Sequence, residues 1–129
     1  MMLSPARLLL DTHVVLWWLS DDDELSPGVK DLIDTELEVY VSGASLWEIS
    51  IKTAAGKLRM PADWLDVVGQ SGLLELPIRA QHAAETGRLP PLHRDPFDRM
   101  LVAQAQCEHL TLVTRDAAIH AYQVPHLAA

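Results

Sequence analysis

The chain has 129 residues, of which 49% are hydrophobic and 22% charged, the composition of one soluble globular domain with a sizeable core, spanning 1–129. A net charge of −8 argues against a general basic face that coats nucleic acid. The longest apolar run, Leu8 to Leu19, is broken by Asp11 and His13 and falls short of the roughly 20 residues of a membrane span.

MMLSPAR, at the start, lacks the basic opening and apolar middle of a signal peptide. ARLLLD (6–11) is a short apolar run ending in an acid, the pattern of a buried parallel strand. THVVLWWLS (12–20) follows as a helix, with Val14, Trp17 and Trp18 at helical spacing. Ser26 and Pro27 open a second helix over 26–36 as N-cap and first helical residue. LEVYVS (37–42) alternates and is β-branched, hence a strand. A helix is predicted over 42–55 with Gly56 as its stop, and a shorter one over 61–72. LLELP (73–77) reads as a strand, and 78–87 as a helix ending at Gly87. Pro90 and Pro91 make 88–94 a loop. Pro96 to His109 is helical, LTLVT (110–114) is the clearest strand, 116–122 gives one or two helical turns, and a short strand near Val124 closes the chain. This alternation predicts an α/β three-layer sandwich, a central and mainly parallel sheet of four or five strands covered on both faces. In such folds sites form beyond the carboxyl ends of the strands. The one cysteine, Cys107, rules out an internal disulfide, fits a reducing cytoplasm, and is expected in the core. Most of the tryptophans (Trp17, Trp18, Trp47, Trp64) are expected there too, with one or two near the first helix forming a groove for a partner.

The acids fall in a pattern. Asp11 follows the first strand directly, and Asp116 lies two residues past the strand ending at Thr114. Both belong to the carboxyl edge, and they approach each other if those strands are neighbours. Glu48 sits in the helix after the second strand, sharing a face with Ala44, Ser45 and Lys52 and opposite Leu46, Trp47, Ile49 and Ile51. Asp95 and Asp98 open the helix that leads to 110–114. Each acid also has an ordinary role open to it. Asp11 and Asp116 suit helix caps, and Glu48 suits an i,i+4 pair with Lys52. Asp95 before Pro96 suits an N-cap, leaving Asp98 the better metal-site candidate of the two. Gathered in one pocket without a cation they would repel and some would protonate. Around Mg²⁺ or Mn²⁺, one ion or two, they make chemical sense, because these hard cations select oxygen and activate water for phosphodiester cleavage.

LLLDTH, SLWEIS, HRDPFDRMLVAQA and LTLVTRD, in that order, resemble the PIN-domain family, and most nearly its VapC-type toxins, the ribonuclease halves of bacterial toxin–antitoxin pairs. The resemblance spans nearly the whole chain. It implies a parallel sheet between helices, Mg²⁺ or Mn²⁺ held by Asp11, Glu48, Asp98 and Asp116, and endonucleolytic cleavage of RNA. Thr114 matches the hydroxyl residue two places before the last acid. Thr12 matches the one beside the first acid, where it either steadies a metal-bound water or caps the helix. Asp95 is extra to the pattern. The resemblance further implies a homodimer and a cognate VapB-type antitoxin whose tail enters the active-site groove.

The net charge is reconciled with an RNA substrate by locality: four acids are concentrated in the site, and basic residues flank it. Lys52, Arg94 and Arg99 are the candidates for RNA phosphate; Arg115, Lys57 and Arg59 are the other nearby cations, and Asp21 to Glu24 read as a solvated loop. The histidines show no zinc spacing; His93, beside Arg94, is open to assisting the chemistry, but as a loop histidine it reads first as incidental. A signalling receiver also carries acids at strand ends, but none of Lys30, Lys52 and Lys57 can follow the last core strand as that fold requires. The alternative of a different class is a non-catalytic module whose acids only cap helices and bind ions or a protein partner.

Overall fold

The computed structural model describes residues 6–129; part of the N-terminal segment inspected for a signal peptide lies outside them. Five strands form one sheet: β1 (Arg7–Leu10), β2 (Glu38–Ser42), β3 (Leu74–Leu76), β4 (Thr111–Thr114) and β5 (His126–Ala128). Their order is β3-β2-β1-β4-β5, and every neighbouring pair is parallel. Parallel neighbours need crossovers, and seven helices supply them: α1 (Thr12–Leu19), α2 (Pro27–Thr35), α3 (Gly43–Ala54), α4 (Trp64–Gln70), α5 (Ala80–Thr86), α6 (Pro96–Glu108) and α7 (Ala117–His120).

β1 is the central strand, and its three leucines are almost fully buried on both faces. Leu8 and Leu10 join Val14, Val15, Val29 and Ile33 of α1 and α2 on one side. Leu9 joins Leu101, Val102 and Ala105 of α6 and Ile119 of α7 on the other. The period of two along β1 therefore splits the core into two layers of apolar contact, and the molecule is the expected three-layer α/β sandwich with five strands.

Element ends follow local chemistry. Ser26 caps α2 by accepting the N–H of Val29, and Asp95 caps α6 by accepting those of Phe97 and Asp98. The predicted helices 61–72 and 78–87 are trimmed to α4 and α5. Ahead of α5, Arg79 stays extended after Pro77. Beyond α4, Gly72 takes a positive φ that starts the turn into β3. The last strand begins at His126; Val124 is buried, and the carbonyl of Pro125 accepts the N–H of Leu112. Two packing expectations are corrected. None of the tryptophans is fully buried: Trp17, Trp18 and Trp64 are half-buried and Trp47 is 60% exposed, because large rings here edge the core instead of filling it. Cys107 is half-buried on the outer side of α6, not in the core.

Going outward from β1, the chain winds one way through β2 and β3 and the other way through β4 and β5. The β1–β4 boundary is thus the point where strand order reverses, and the crevice for a ligand opens beyond its carboxyl end.

Candidate active site

Asp11 and Asp116 stand on the two sides of that crevice, and Thr114 joins them. Its hydroxyl donates to Asp11 Oδ2 at 2.6 Å and accepts the backbone N–H of Asp116 at 3.1 Å. Both acids are also the helix caps foreseen as their ordinary role: Asp11 accepts the N–H of His13 and Asp116 that of Ala118. Capping and site-building are one arrangement here, because a helix starting right after a parallel strand aims its N-terminus at the carboxyl edge.

α3 brings Glu48. This helix buries polar and apolar residues together: Ser45 and Glu48 are buried with Ala44 and Ile49, while Trp47 and Ile51 are exposed. The buried polar side is satisfied from within. Lys52 Nζ lies 2.8 Å from Glu48 Oε2, and the Thr12 hydroxyl donates to Ser45 Oγ at 2.9 Å. The Glu48 carboxylate, in turn, raises the Lys52 ammonium above its ordinary pKa. Thr12 therefore ties α1 to α3 and leaves the capping of α1 to Asp11.

α6 brings Asp98, with Asp95 in the cap one turn earlier. Gln104, fully buried, fixes the helix against the strand ends: its Oε1 accepts the Ser42 hydroxyl at 2.5 Å and its Nε2 donates to the carbonyl of Pro77. Asp11, Glu48, Asp95, Asp98 and Asp116, with Thr12, Lys52 and Arg115, line one cavity of about 370 Å³. Burial pushes the Asp98 carboxyl up to about 7, and the negative charges of Asp95 and Asp11 push it the same way. Asp116 goes down: burial opposes ionisation, but the hydrogen bonds from His93 and from the N–H of Ala118 outweigh it. A carboxyl forced toward neutrality beside four others is a site short of positive charge. Its donors are hard oxygens, which fit Mg²⁺ or Mn²⁺.

Residues 8–125 match the family model of the PIN domain. The chain belongs to the PIN domain family. Within the family it is 26% identical over 122 residues to Ribonuclease VapC22 of Mycobacterium tuberculosis, covering 92% of this chain and 93% of that one. A chain of the DNA-bound VapBC complex from Salmonella typhimurium superposes on this PIN domain with a TM-score of 0.71 at 19% identity, over 95% of this chain and 98% of that one. A chain of a toxin–antitoxin complex from Klebsiella pneumoniae does so with a TM-score of 0.66 at 17% identity, over 93% and 95%. At these identities the two structures attest the fold.

The cations of this PIN domain divide by geometry. Lys52 and Arg115 line the acidic cavity. Arg115 stacks on Trp17 at 4.5 Å and is held by the side chain and carbonyl of Glu24. Arg94 is exposed and lines a separate hollow with Trp47 and Phe97, so it is not part of the acidic cavity. Arg99 is corrected from a phosphate ligand to a loop clamp: its guanidinium donates to the carbonyls of Thr86, Leu89 and Pro90 and to Tyr122 Oη. Arg59 edges the apolar groove beside the site rather than the site itself, and Lys57 is exposed beyond α3. The residue whose part the sequence left open, between aiding the chemistry and being incidental, is His93. Its Nε2 lies 2.9 Å from Asp116 Oδ2 and 3.0 Å from Asp98 Oδ2. Burial disfavours its charged form, yet the Asp116 hydrogen bond and the nearby charges of Asp98 and Asp116 raise its pKa. No spacing signals this contact; the Pro-rich loop folds back to make it.

Proposed function

We propose that this PIN domain is a Mg²⁺- or Mn²⁺-dependent endoribonuclease, the toxin of a type II toxin–antitoxin pair. The observation that carries the reading is the meeting of Asp11, Glu48, Asp98 and Asp116, from four separate segments, in one cavity where the sheet order reverses. Family membership and the ribonuclease named among its relatives support it. When bound, a dication supplies an activated water and charge neutralisation at the scissile phosphate. Asp11, Glu48, Asp98 and Asp116, which line one cavity, would hold it. Thr114 fixes the Asp11 carboxylate, and Lys52 is the cation best placed to meet the RNA backbone. In-line displacement would leave a 5′-phosphate and a 3′-hydroxyl.

The partners follow from the surface. An apolar groove of about 530 Å³, edged by Trp17, Trp64 and Met60, shares His13 and Trp17 with the acidic cavity. This adjacency supports a VapB-type antitoxin whose tail runs from the groove into the site. Exposed Trp47 and Ile51, one turn apart on α3, support a homodimer. Sedimentation of the purified chain as a monomer would exclude the dimer. Among the described residues no helix is long and apolar enough to cross a membrane.

The deciding experiment is cleavage of single-stranded RNA with Mg²⁺ and with chelator. Asp11→Asn and Asp98→Asn should each lower the rate at least about a hundredfold, since electrostatic stabilisation by a bound metal is worth several kcal/mol. Lys52→Glu should raise KM. No cleavage, or cleavage that the folded variants support as well as the parent, would leave the non-catalytic module as the better reading, and cleavage undiminished by chelator would overturn the metal dependence.

A further inference from the structure

His93 has the look of a metal ligand, since its Nε2 and one oxygen each of Asp98 and Asp116 lie within 4.8 Å of one another. The rest of the ring contradicts that role. Nδ1 accepts the backbone N–H of Asp95 at 3.1 Å. A backbone amide always donates, so Nδ1 must present its lone pair, and the neutral ring carries its proton on Nε2. That N–H donates to Asp116 Oδ2, and Asp98 Oδ2 lies 3.0 Å from the same nitrogen. A ring nitrogen bearing a proton cannot bind a metal. To turn Nε2 into a ligand the ring would have to take up the other tautomer and set two N–H groups, its own and that of Asp95, against each other.

The loop leaves little freedom for such a change. The backbone N–H of His93 donates to Tyr122 Oη at 3.0 Å, and Arg99 donates to the same oxygen at 3.2 Å. His82 supplies an internal comparison. Its Nδ1 accepts the N–H of Arg79 at 3.0 Å and its Nε2 faces Glu108 at 2.9 Å, in a purely structural setting.

We infer that His93 is a positioning residue whose Nε2–H fixes the Asp116 carboxylate beside Asp98, so that the cation site remains all oxygen. The inference rests on the metal-dependent reading above and deepens it. An imidazole ligand would draw the site toward Zn²⁺ and other nitrogen-seeking metals, whereas an imidazole donor leaves it selective for Mg²⁺ and Mn²⁺. It is the outer-shell device in which a ligating carboxylate is oriented by a hydrogen bond.

The test uses the whole chain, uniformly ¹⁵N-labelled for NMR and at natural isotopic abundance for the spin-echo measurement. Long-range ¹H–¹⁵N spectra should show His93 protonated on Nε2 without metal and with Mg²⁺, as His82 is in both. Spin-echo modulation from a directly bound ¹⁴N should be absent with Mn²⁺. Gln carries its amide nitrogen to the Nε2 position of histidine and Asn only to that of Nδ1. His93→Gln should therefore keep Mn²⁺ affinity within a few-fold of the parent, while His93→Asn should lose about 10- to 100-fold. A metal-induced switch to the Nδ1–H tautomer, directly bound ¹⁴N, or equal affinities for the two variants would overturn the role. If Mg²⁺ moves none of the amide signals of Asp11, Asp98 and Asp116, it is the cation site itself that fails, and His93's role with it.

Discussion

Asp98 shows what a single residue bears in this fold. Its folded pKa of about 7 stands well above its ordinary 3.8, so between those values the native chain binds a proton that the unfolded chain has released. Stability of the metal-free protein must then fall as pH rises from about 4 to 7. Asp116, lowered, acts at the acid end, where its contribution disappears as pH drops below 3.8. Asp98→Asn should therefore stabilise the chelator-treated protein at pH 8 by about 1–3 kcal/mol and flatten that part of its pH profile. Urea melts of parent and variant at pH 5 and pH 8 check this; equal stabilities at pH 8 would mean that the carboxylate carries no penalty. The acids themselves were legible, because each follows a strand or opens a helix. His93, Arg99 and Gln104 were not, since a loop imidazole, a first-turn arginine and a helical glutamine acquire meaning only from partners distant in sequence.

At the scale of elements, all five strands and seven helices were present in the pattern of apolar runs, caps and prolines, and the misreadings were at the ends. α6 shows why caps read well: Asp95 and Pro96 announce its start to the residue. Its end is another matter. The helix stops at His109 in the left-handed conformation, φ 56° and ψ 49°, with the N–H of Leu110 turned back to the carbonyl of Ala105. Glycine is the usual residue there, and a histidine hides the signal. His109→Gly should relieve the conformation and stabilise the domain by about 0.5–1 kcal/mol, as His109 is exposed and makes no side-chain hydrogen bond among the described residues. A thermal melt that falls instead of rising would show that the imidazole contributes packing. α3 was placed where expected, and what its pattern did not give is the burial: Ser45, Glu48 and Ile49 are buried, while Trp47, expected in the core with the other tryptophans, is exposed beside Ile51.

For the molecule as a whole, the net charge of −8 is the quantity most easily misjudged. Spread evenly it would be a solubility term, and any salt would screen it. Here Asp21 to Glu24 are exposed on one loop, while five carboxylates share the crevice at the strand-order reversal. The first group should respond to ionic strength, and the second, on the function proposed above, to a dication of the right size. A dication that binds only the folded chain adds stability by mass action, about 2.7 kcal/mol at a hundred times its Kd. For a domain of this length that amounts to a rise in Tm on the order of 10 °C. Mg²⁺ or Mn²⁺ should produce it, NaCl at matched ionic strength should not, and Asp11→Asn should remove most of it while keeping the fold. Scanning calorimetry of the three samples separates the two groups of charge. An equal rise with NaCl would reduce the crevice to one more patch of a screened acidic surface, and the gathering of acids at the sheet edge would then be a by-product of helix capping alone.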